Sequence, residues 1–268
     1  MNRPEWAPEG IDLDRPSAAR TYDYLLGGSH NFAIDRQAAE QTLTLMPDMA
    51  IHIQANRAFL YRTVRYLSEL GVRQFLDIGS GVPTVGNVHE VAQRVNPSAR
   101  VVYVDIDPVA VAHSRVILAS NDRATVIQED LRRPEAILAH PEVRATLDFD
   151  QPIGLLMLAI LHALSDQDDP HGLVGRLTGA LVPGSYLAMS HATADSLPEV
   201  WDKLVVVSAR GGYPLTLRDR AEVERFFTGF TLVDPGLVWS PQWRPEDPED
   251  VGDQPERSST YAGVGRKD

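Results

Sequence analysis

The chain contains no cysteine. That excludes disulfides, thiolate metal sites and any mechanism built on a cysteine nucleophile, and it agrees with a reducing compartment. Long apolar runs are missing too. The longest, Ile153 to Leu164, falls about eight residues short of the ~20 that cross a bilayer and carries His162 near its end. Met1-Asn2-Arg3-Pro4-Glu5-Trp6 has none of the apolar character of a signal peptide. A cytoplasmic protein without a membrane partner is expected. Positive charge is scarce: 25 Lys and Arg stand against 37 Asp and Glu, a formal net charge of −12. Such a field repels polyphosphate, so nucleic acid is not the expected partner and a small molecule is. Nothing here decides between a monomer and a homo-oligomer. The 268 residues, 43% hydrophobic and 23% charged, suffice for one large domain, or one domain with an appendage.

What is present is an alternation of two periodicities. Residues 74–79 form a short apolar run ending in glycine, as a buried strand does, and 84–95 carry a helical stripe of Val85, Val88, Val91, Ala92 and Val95. Further strands are expected over 100–105, 124–128, 152–161 and 185–190. Helices are expected between them, over 108–118 with Asp107 as cap and Pro108 in the first turn, then over 134–140 and 169–181. Strands too apolar to have one wet face predict an α/β fold with a doubly wound parallel sheet. Helices over 195–209 and 217–227 and two last strands over 230–238 and 260–265 should follow. Residues 244–257, rich in Pro, Asp and Glu, read as a solvated loop. Before the sheet, 34–45 and 49–70 read as helices, preceded by a Gly27-Gly28 turn that can act as a lid. Residues 1–70 are thus expected to be a helical cap, forming one compact unit with the sheet domain 71–268.

The densest chemical signal is Asp77-Ile78-Gly79-Ser80-Gly81-Val82-Pro83-Thr84, where the first strand hands over to its helix. Gly79 and Gly81 let a ligand lie against bare backbone, and Asp77 can reach its polar or cationic end. The dinucleotide fingerprint fails at its third glycine, where Thr84 stands, and Pro83 removes a backbone donor that a pyrophosphate would use. A ligand without phosphates suits the turn better. Asp105, closing the second strand, is spaced to accept both hydroxyls of a ribose, or else to cap a helix. Asp130 and Leu131, closing the third strand, are placed for an adenine amino group and ring, or for a turn.

In this order of glycines and strand-closing acids the chain resembles the class I S-adenosylmethionine-dependent methyltransferases. More narrowly, the run from Arg15 to Gly28, with Asn31 and Asp35-Arg36, is similar to the S-adenosyl methyltransferase family formerly described only as a domain of unknown function. Phe226-Phe227, Pro235-Gly236, Trp243-Arg244-Pro245 and Tyr261 to Lys267 continue that similarity. The resemblance implies a Rossmann-like seven-stranded sheet whose last strand is antiparallel. It also implies S-adenosyl-L-methionine as cofactor and S-adenosyl-L-homocysteine as product. Asp77 would then lie near the methionine amino group and Gly79 and Gly81 beneath the cofactor. Asp105 would take the ribose, with Ile106 next to it, and Asp130 and Leu131 would flank the adenine. Ala159 would sit at the fourth strand's end, and Arg20 and Tyr22 would either reach the cofactor carboxylate or pack the cap.

At the end of the fourth strand, Leu158-Ala159-Ile160-Leu161-His162 offers no acid, and the Asn/Asp-Pro-Pro-aromatic motif of base-amino methyltransferases is absent. The expected acceptor is a small or medium-sized organic molecule, methylated at oxygen or nitrogen. His162 or His191 can serve as general base, or be a hydrogen-bonded structural residue. No metal is expected, because no histidine clusters with acids. Trp201, Val205, Val206 and Tyr213 either line an acceptor pocket or form the buried face of a helix. Two other readings remain at this stage: a regulatory protein that binds S-adenosylmethionine without turnover, and an NAD(P)-dependent dehydrogenase.

Overall fold

The computed structural model describes residues 11–83 and 86–268. Five parallel strands, β1 (Gln74–Ile78), β2 (Arg100–Asp105), β3 (Ala124–Gln128), β4 (Gly154–Leu158) and β5 (Tyr186–Ala192), lie in the order β3-β2-β1-β4-β5. The path continues through β8 (Thr260–Lys267), antiparallel to β5, to β6 (Phe230–Leu232) at the edge. A two-residue β7 (Val238–Trp239) also pairs with β8. The expected strand over 230–238 is therefore interrupted. Pro235, which has no N–H to give the ladder, and Gly236 at φ +87° carry the chain out of register between β6 and β7.

Every residue of β1, β4 and β5 is buried, which is why these segments read as continuous apolar runs. Side chains alternate between two cores. Leu76, Ile78, Val102 and Val104 face one, covered by α6 (Pro134–Ala139), α7 (Pro141–Thr146) and α8 (Pro170–Gly179) through Ile137, Val143 and Leu173. Phe75, Val101 and Tyr103 face the other, covered by α3 (Met49–Glu69), α4 (Val88–Val95) and α5 (Pro108–Leu118). Phe59, Leu60, Val64 and Leu67 of α3 belong to this second core, so the segment before Gly71 shares its packing with the sheet.

Helix boundaries moved where local chemistry overrides periodicity. Thr84 and Val85 lie outside the described residues, and α4 begins only at Val88. Gly86 at φ +79° precedes it, with its N–H held by Glu90 Oε2 at 2.9 Å. Strand β4 stops at Leu158 because Ala159 adopts φ +53°. The loop 244–257 is mostly exposed and is tied to α3 and the turn before it by Arg65–Glu246 and Arg257–Asp48 ion pairs. At its start Trp243 is fully buried against Phe59 and Tyr66, and Arg62 donates to the Trp243 and Ser240 carbonyls at 2.8 Å each. Among the described residues no helix is long and apolar enough to cross a membrane.

Helix α1 (Ala18–Leu25) is short and its buried residues are the polar Arg20, Thr21 and Asp23, with Tyr22 and Leu25 only half-buried against the cluster of Met46, Ile53 and Trp201. Arg20 pairs with fully buried Asp35 of α2 (Ala33–Leu45), at 3.1 Å, while its Nη2 donates to Arg15 O at 2.9 Å. Asp35 also accepts the N–H groups of Ser17 and Phe32 at 2.9 and 2.8 Å. The Gly27-Gly28 turn closes onto Asp23, whose Oδ2 accepts from His30 N and Asn31 Nδ2 at 2.9 and 2.8 Å. A Cβ at Gly28 would lie 2.1 Å from Asp23 Oδ1, so only glycine fits there. Arg20→Ala, which strands the Asp35 carboxylate without its cation, should lower stability by about 3–5 kcal/mol in urea denaturation. A loss below about 1 kcal/mol would show that the pair does not hold the N-terminal helices.

Candidate functional site

The carboxyl ends of β1, β2 and β4 form the floor of the site. The parallel register sets Asp77 opposite Tyr103, and the alternation of side chains then turns Asp77, Tyr103 and Asp105 to the same face, the one under α3 and α4. Beyond β1 the chain stays on β2: the N–H groups of Gly79 and Ser80 both reach Val104 O, at 2.8 and 3.2 Å. Gly79 and Gly81 have φ +74° and +69°. Gly81 N then donates to Asp105 Oδ2 at 2.6 Å, while Asp107 N donates to Oδ1 at 2.8 Å. Asp107 itself is the cap of α5, accepting from Val109 N at 2.7 Å. The two candidate glycines differ in surroundings. A Cβ at Gly79 would come within 2.6 Å of Ile160, whereas among the described residues nothing lies within 4 Å of one at Gly81. Ile160 thus packs directly on the first glycine, and no described side chain covers the second.

Two buried carboxyls so close together are electrostatically costly. Burial pushes Asp77 up to about 7; Arg57 of α3 draws it down and Asp105 pushes it further up. Burial also raises Asp105 to about 6, against the pull of the Asp107 and Gly81 N–H groups. The Tyr103 hydroxyl between them is driven well above its usual range, chiefly by burial, and is held by His89 through its N–H at 2.8 Å and Nδ1 at 2.7 Å. Ile106, next along the chain, is 56% exposed, a large apolar side chain left open at the sheet edge. Asp130 is partly exposed and bound by Arg132 Nη2 at 2.7 Å. Burial is the largest single influence on its carboxyl and raises it, but the side-chain and backbone hydrogen bonds from Arg132 and the charges of Arg132 and Arg133 together hold it below the usual range. Leu131 turns into the core.

On the β4 side, Ala159 N donates to Ser190 Oγ at 2.9 Å and to Ser190 O at 3.1 Å. His191, fully buried, uses both ring nitrogens: Nδ1 is 2.7 Å from Ala192 O and Nε2 is 3.1 Å from Arg218 Nη1. Burial, then His162 beside it, lowers its pKa to about 3. His162 stacks edge-on against it at 5.7 Å, its Nδ1 lacks a partner, and burial followed by Arg218 lowers its pKa to about 4. Arg218 also donates to Leu161 O, Leu164 O and Asp166 and so fixes the loop after β4 from below.

The structure therefore gathers Asp77, Gly79, Gly81, Asp105 and Ile106 at one edge. Tyr22 joins them from above through α3, where its hydroxyl accepts from Asn56 Nδ2 at 3.1 Å. Arg20 is paired with Asp35 and also lies 3.9 Å from Asp107 Oδ2, next to Asp105. Trp201 of α9 (Pro198–Arg210) packs with Met46, Met49 and Ile53 beneath the cap, whereas Val206 is 49% exposed on the outer side. Sequence reasoning missed Arg57, Asn56 and Arg218. The first two sit within the helical stripe of α3 with nothing to distinguish them, and Arg218 lies in a stretch read as helix. Among the described residues, no group of three or more His, Asp or Glu is placed to hold a metal.

Because folded Asp77 keeps its proton to about pH 7 and the unfolded chain releases it near 4, the folded state binds more protons between these values. Its contribution to stability falls as pH rises from ~4 to ~7 and stays low above. Asp77→Asn should therefore stabilise the protein at pH 8, on the order of 2 kcal/mol, with the gain shrinking toward pH 4. Urea denaturation across that range decides it, and a gain that does not vary with pH would remove the buried-charge explanation.

Comparison with known proteins returns the same assignment over the whole chain. The sequence model of a family described as S-adenosyl methyltransferase matches residues 4–268. A DUF574 family protein of Streptomyces avermitilis is 41% identical, with a TM-score of 0.92 over 96% of this chain and 99% of that one. A protein of Thermobifida fusca assigned to the methyltransferases is 43% identical, with a TM-score of 0.93 over 98% and 99%. An O-methyltransferase family protein of Burkholderia thailandensis, at 14% identity and a TM-score of 0.51 over 92% and 70%, shares the fold alone. No curated protein matches. With a family match spanning nearly all of its length and the class I strand order in its sheet, the chain belongs to the S-adenosyl methyltransferase family and is an S-adenosylmethionine-dependent methyltransferase.

Proposed function

We propose that the protein transfers a methyl group to the oxygen or nitrogen of a small or medium-sized organic acceptor, with S-adenosyl-L-methionine held along the carboxyl ends of β1, β2 and β3. The observation that carries this reading is the convergence of Asp77 and Asp105 on one face, with Gly81 tied to Asp105 and Ile106 open beside it. The residues suit the cofactor. Two carboxyls raised by burial, to about 7 and about 6, gain from a cationic ligand, no side chain among the described residues covers Gly81, and exposed Ile106 offers an apolar face for a base.

When bound, the cofactor supplies a methyl already activated by the sulfonium. The chain's task is then to align an acceptor atom and exclude water, and such positioning accounts for about 7–11 kcal/mol of a barrier. In this reading Asp77 receives the methionine ammonium, Gly79 and Gly81 pass beneath the cofactor and Asp105 accepts from the ribose. Asp130, sharing its oxygens with Arg132, and Leu131 border the adenine. The loop Ala159–Ile160, which packs on Gly79, would border the cofactor at the end of β4. His162 is neutral at pH 7 and is the candidate to take the acceptor's proton. His191 is a poorer one, because its Nε2 lone pair already receives Arg218.

Asp105→Ala should weaken calorimetric binding of S-adenosylhomocysteine by about 1–3 kcal/mol, the worth of hydrogen bonds to a charged group. Unchanged affinity in a folded variant would refute the ribose assignment.

A further inference from the structure

We infer that Asn56 is a positioning residue through which the N-terminal helices set the conformation of the loop after β4, and with it the affinity for the cofactor. The inference rests on the binding reading above. Ala159 is one of four described non-glycine residues at positive φ, and an alanine there gains nothing from its own side chain. Something outside the loop must hold it. Its N–H is shared between the carbonyl and the hydroxyl of Ser190, and the hydroxyl, its lone pair so used, donates to Asn56 Oδ1 at 2.5 Å. Asn56 Nδ2 donates in turn to the Tyr22 hydroxyl at 3.1 Å, and that hydroxyl points to Ile53 O at 3.4 Å. Donor and acceptor alternate without conflict from Ala159 to Tyr22. Ser190 and Asn56 are buried, so water does not replace either of them, while Tyr22 at the end of the series is half-buried.

The neighbouring residue extends the consequence. Arg57 donates to Gly86 O at 3.3 Å and acts on the charge of Asp77, so consecutive residues of α3 reach Ser190, which holds the loop after β4, and the loop after β1. The two halves of the cofactor edge come from separate strands, and one turn of α3 spans both. Ile160, which lies against Gly79, directly follows the residue whose N–H the chain holds. Release of Ala159 would therefore free Ile160 to move over the glycine turn. The N-terminal segment is thus part of the cofactor site and not only a cover for the acceptor.

The test compares the full-length protein with Asn56→Ala, Ser190→Ala, the double variant and Tyr22→Phe. S-adenosylhomocysteine is titrated by calorimetry, and hydrogen exchange is followed at the Ala159 amide. Each of the first two variants should weaken binding roughly tenfold and speed exchange at Ala159, and the double variant should be no worse than the more affected single one. Tyr22→Phe, which keeps the ring and the fold, should weaken binding about two- to threefold. Folded variants with wild-type affinity and unchanged exchange at Ala159 would overturn the inference, as would effects that simply add. If the wild-type protein itself fails to bind S-adenosylhomocysteine, the binding reading falls and takes this inference with it. Wild-type binding that ignores Asn56, Ser190 and Tyr22 removes only the inference.

Discussion

Two carboxyl groups, Asp77 near the end of β1 and Asp105 at the end of β2, are carried out of water by their strands, and the arrangement at the sheet's edge follows from that. A buried carboxylate must find donors or a cation, or keep its proton. Asp105 finds two backbone N–H groups, from Gly81 and Asp107, and this requirement folds the glycine turn back onto β2. Asp77 faces Arg57 but also Asp105, and burial outweighs the arginine, so its carboxyl is held near neutrality. The protein stores an unfavourable charge where a cationic ligand would relieve it. In the binding reading proposed above, the same feature that lowers stability as pH rises would favour a sulfonium compound with an ammonium group.

Around this edge the structure distributes support unevenly. From below, Arg218 gathers the Leu161 and Leu164 carbonyls, Asp166 and His191, fixing the loop after β4 against the core. From above, α3 enters the second core through Phe59 and Val64 and presents Asn56 and Arg57 to the loops. Helices α1 and α2 are secured separately, by the Arg20–Asp35 pair and the Asp23 turn. A side chain in the N-terminal helices, such as Tyr22, therefore connects to the sheet by touching α3, without leaving its own packing.

Much of this was legible in the sequence wherever apolar periodicity and strand-ending acids coincide. Strands β1 to β5 and helices α3, α5 and α8 stand within a few residues of expectation because burial on one or both faces dictated their composition. Asp107 announced its cap by the proline that follows it. Helix α1 was hidden because its buried face is polar and its stability comes from Asp35, fifteen residues from Arg20. The break between β6 and β7 needed Pro235 to be weighed against its apolar neighbours. Asn56, Arg57 and Arg218 were invisible for a different reason: their partners are far along the chain, Ser190 of Asn56 and Leu161 of Arg218 among them, and no local pattern encodes such contacts. His191 was visible as a residue, but its partner Arg218, which occupies its Nε2, was not.

The central claim is that a cationic cofactor draws the proton off a buried carboxyl pair. It is tested most directly by titrating the protein with S-adenosylmethionine near pH 6.5 in buffers of different ionisation heat. The apparent binding enthalpy should vary with the buffer in the sense of proton release, and Asp77→Asn should diminish that release. An enthalpy independent of the buffer would mean that these carboxyls do not meet the cofactor's positive charge.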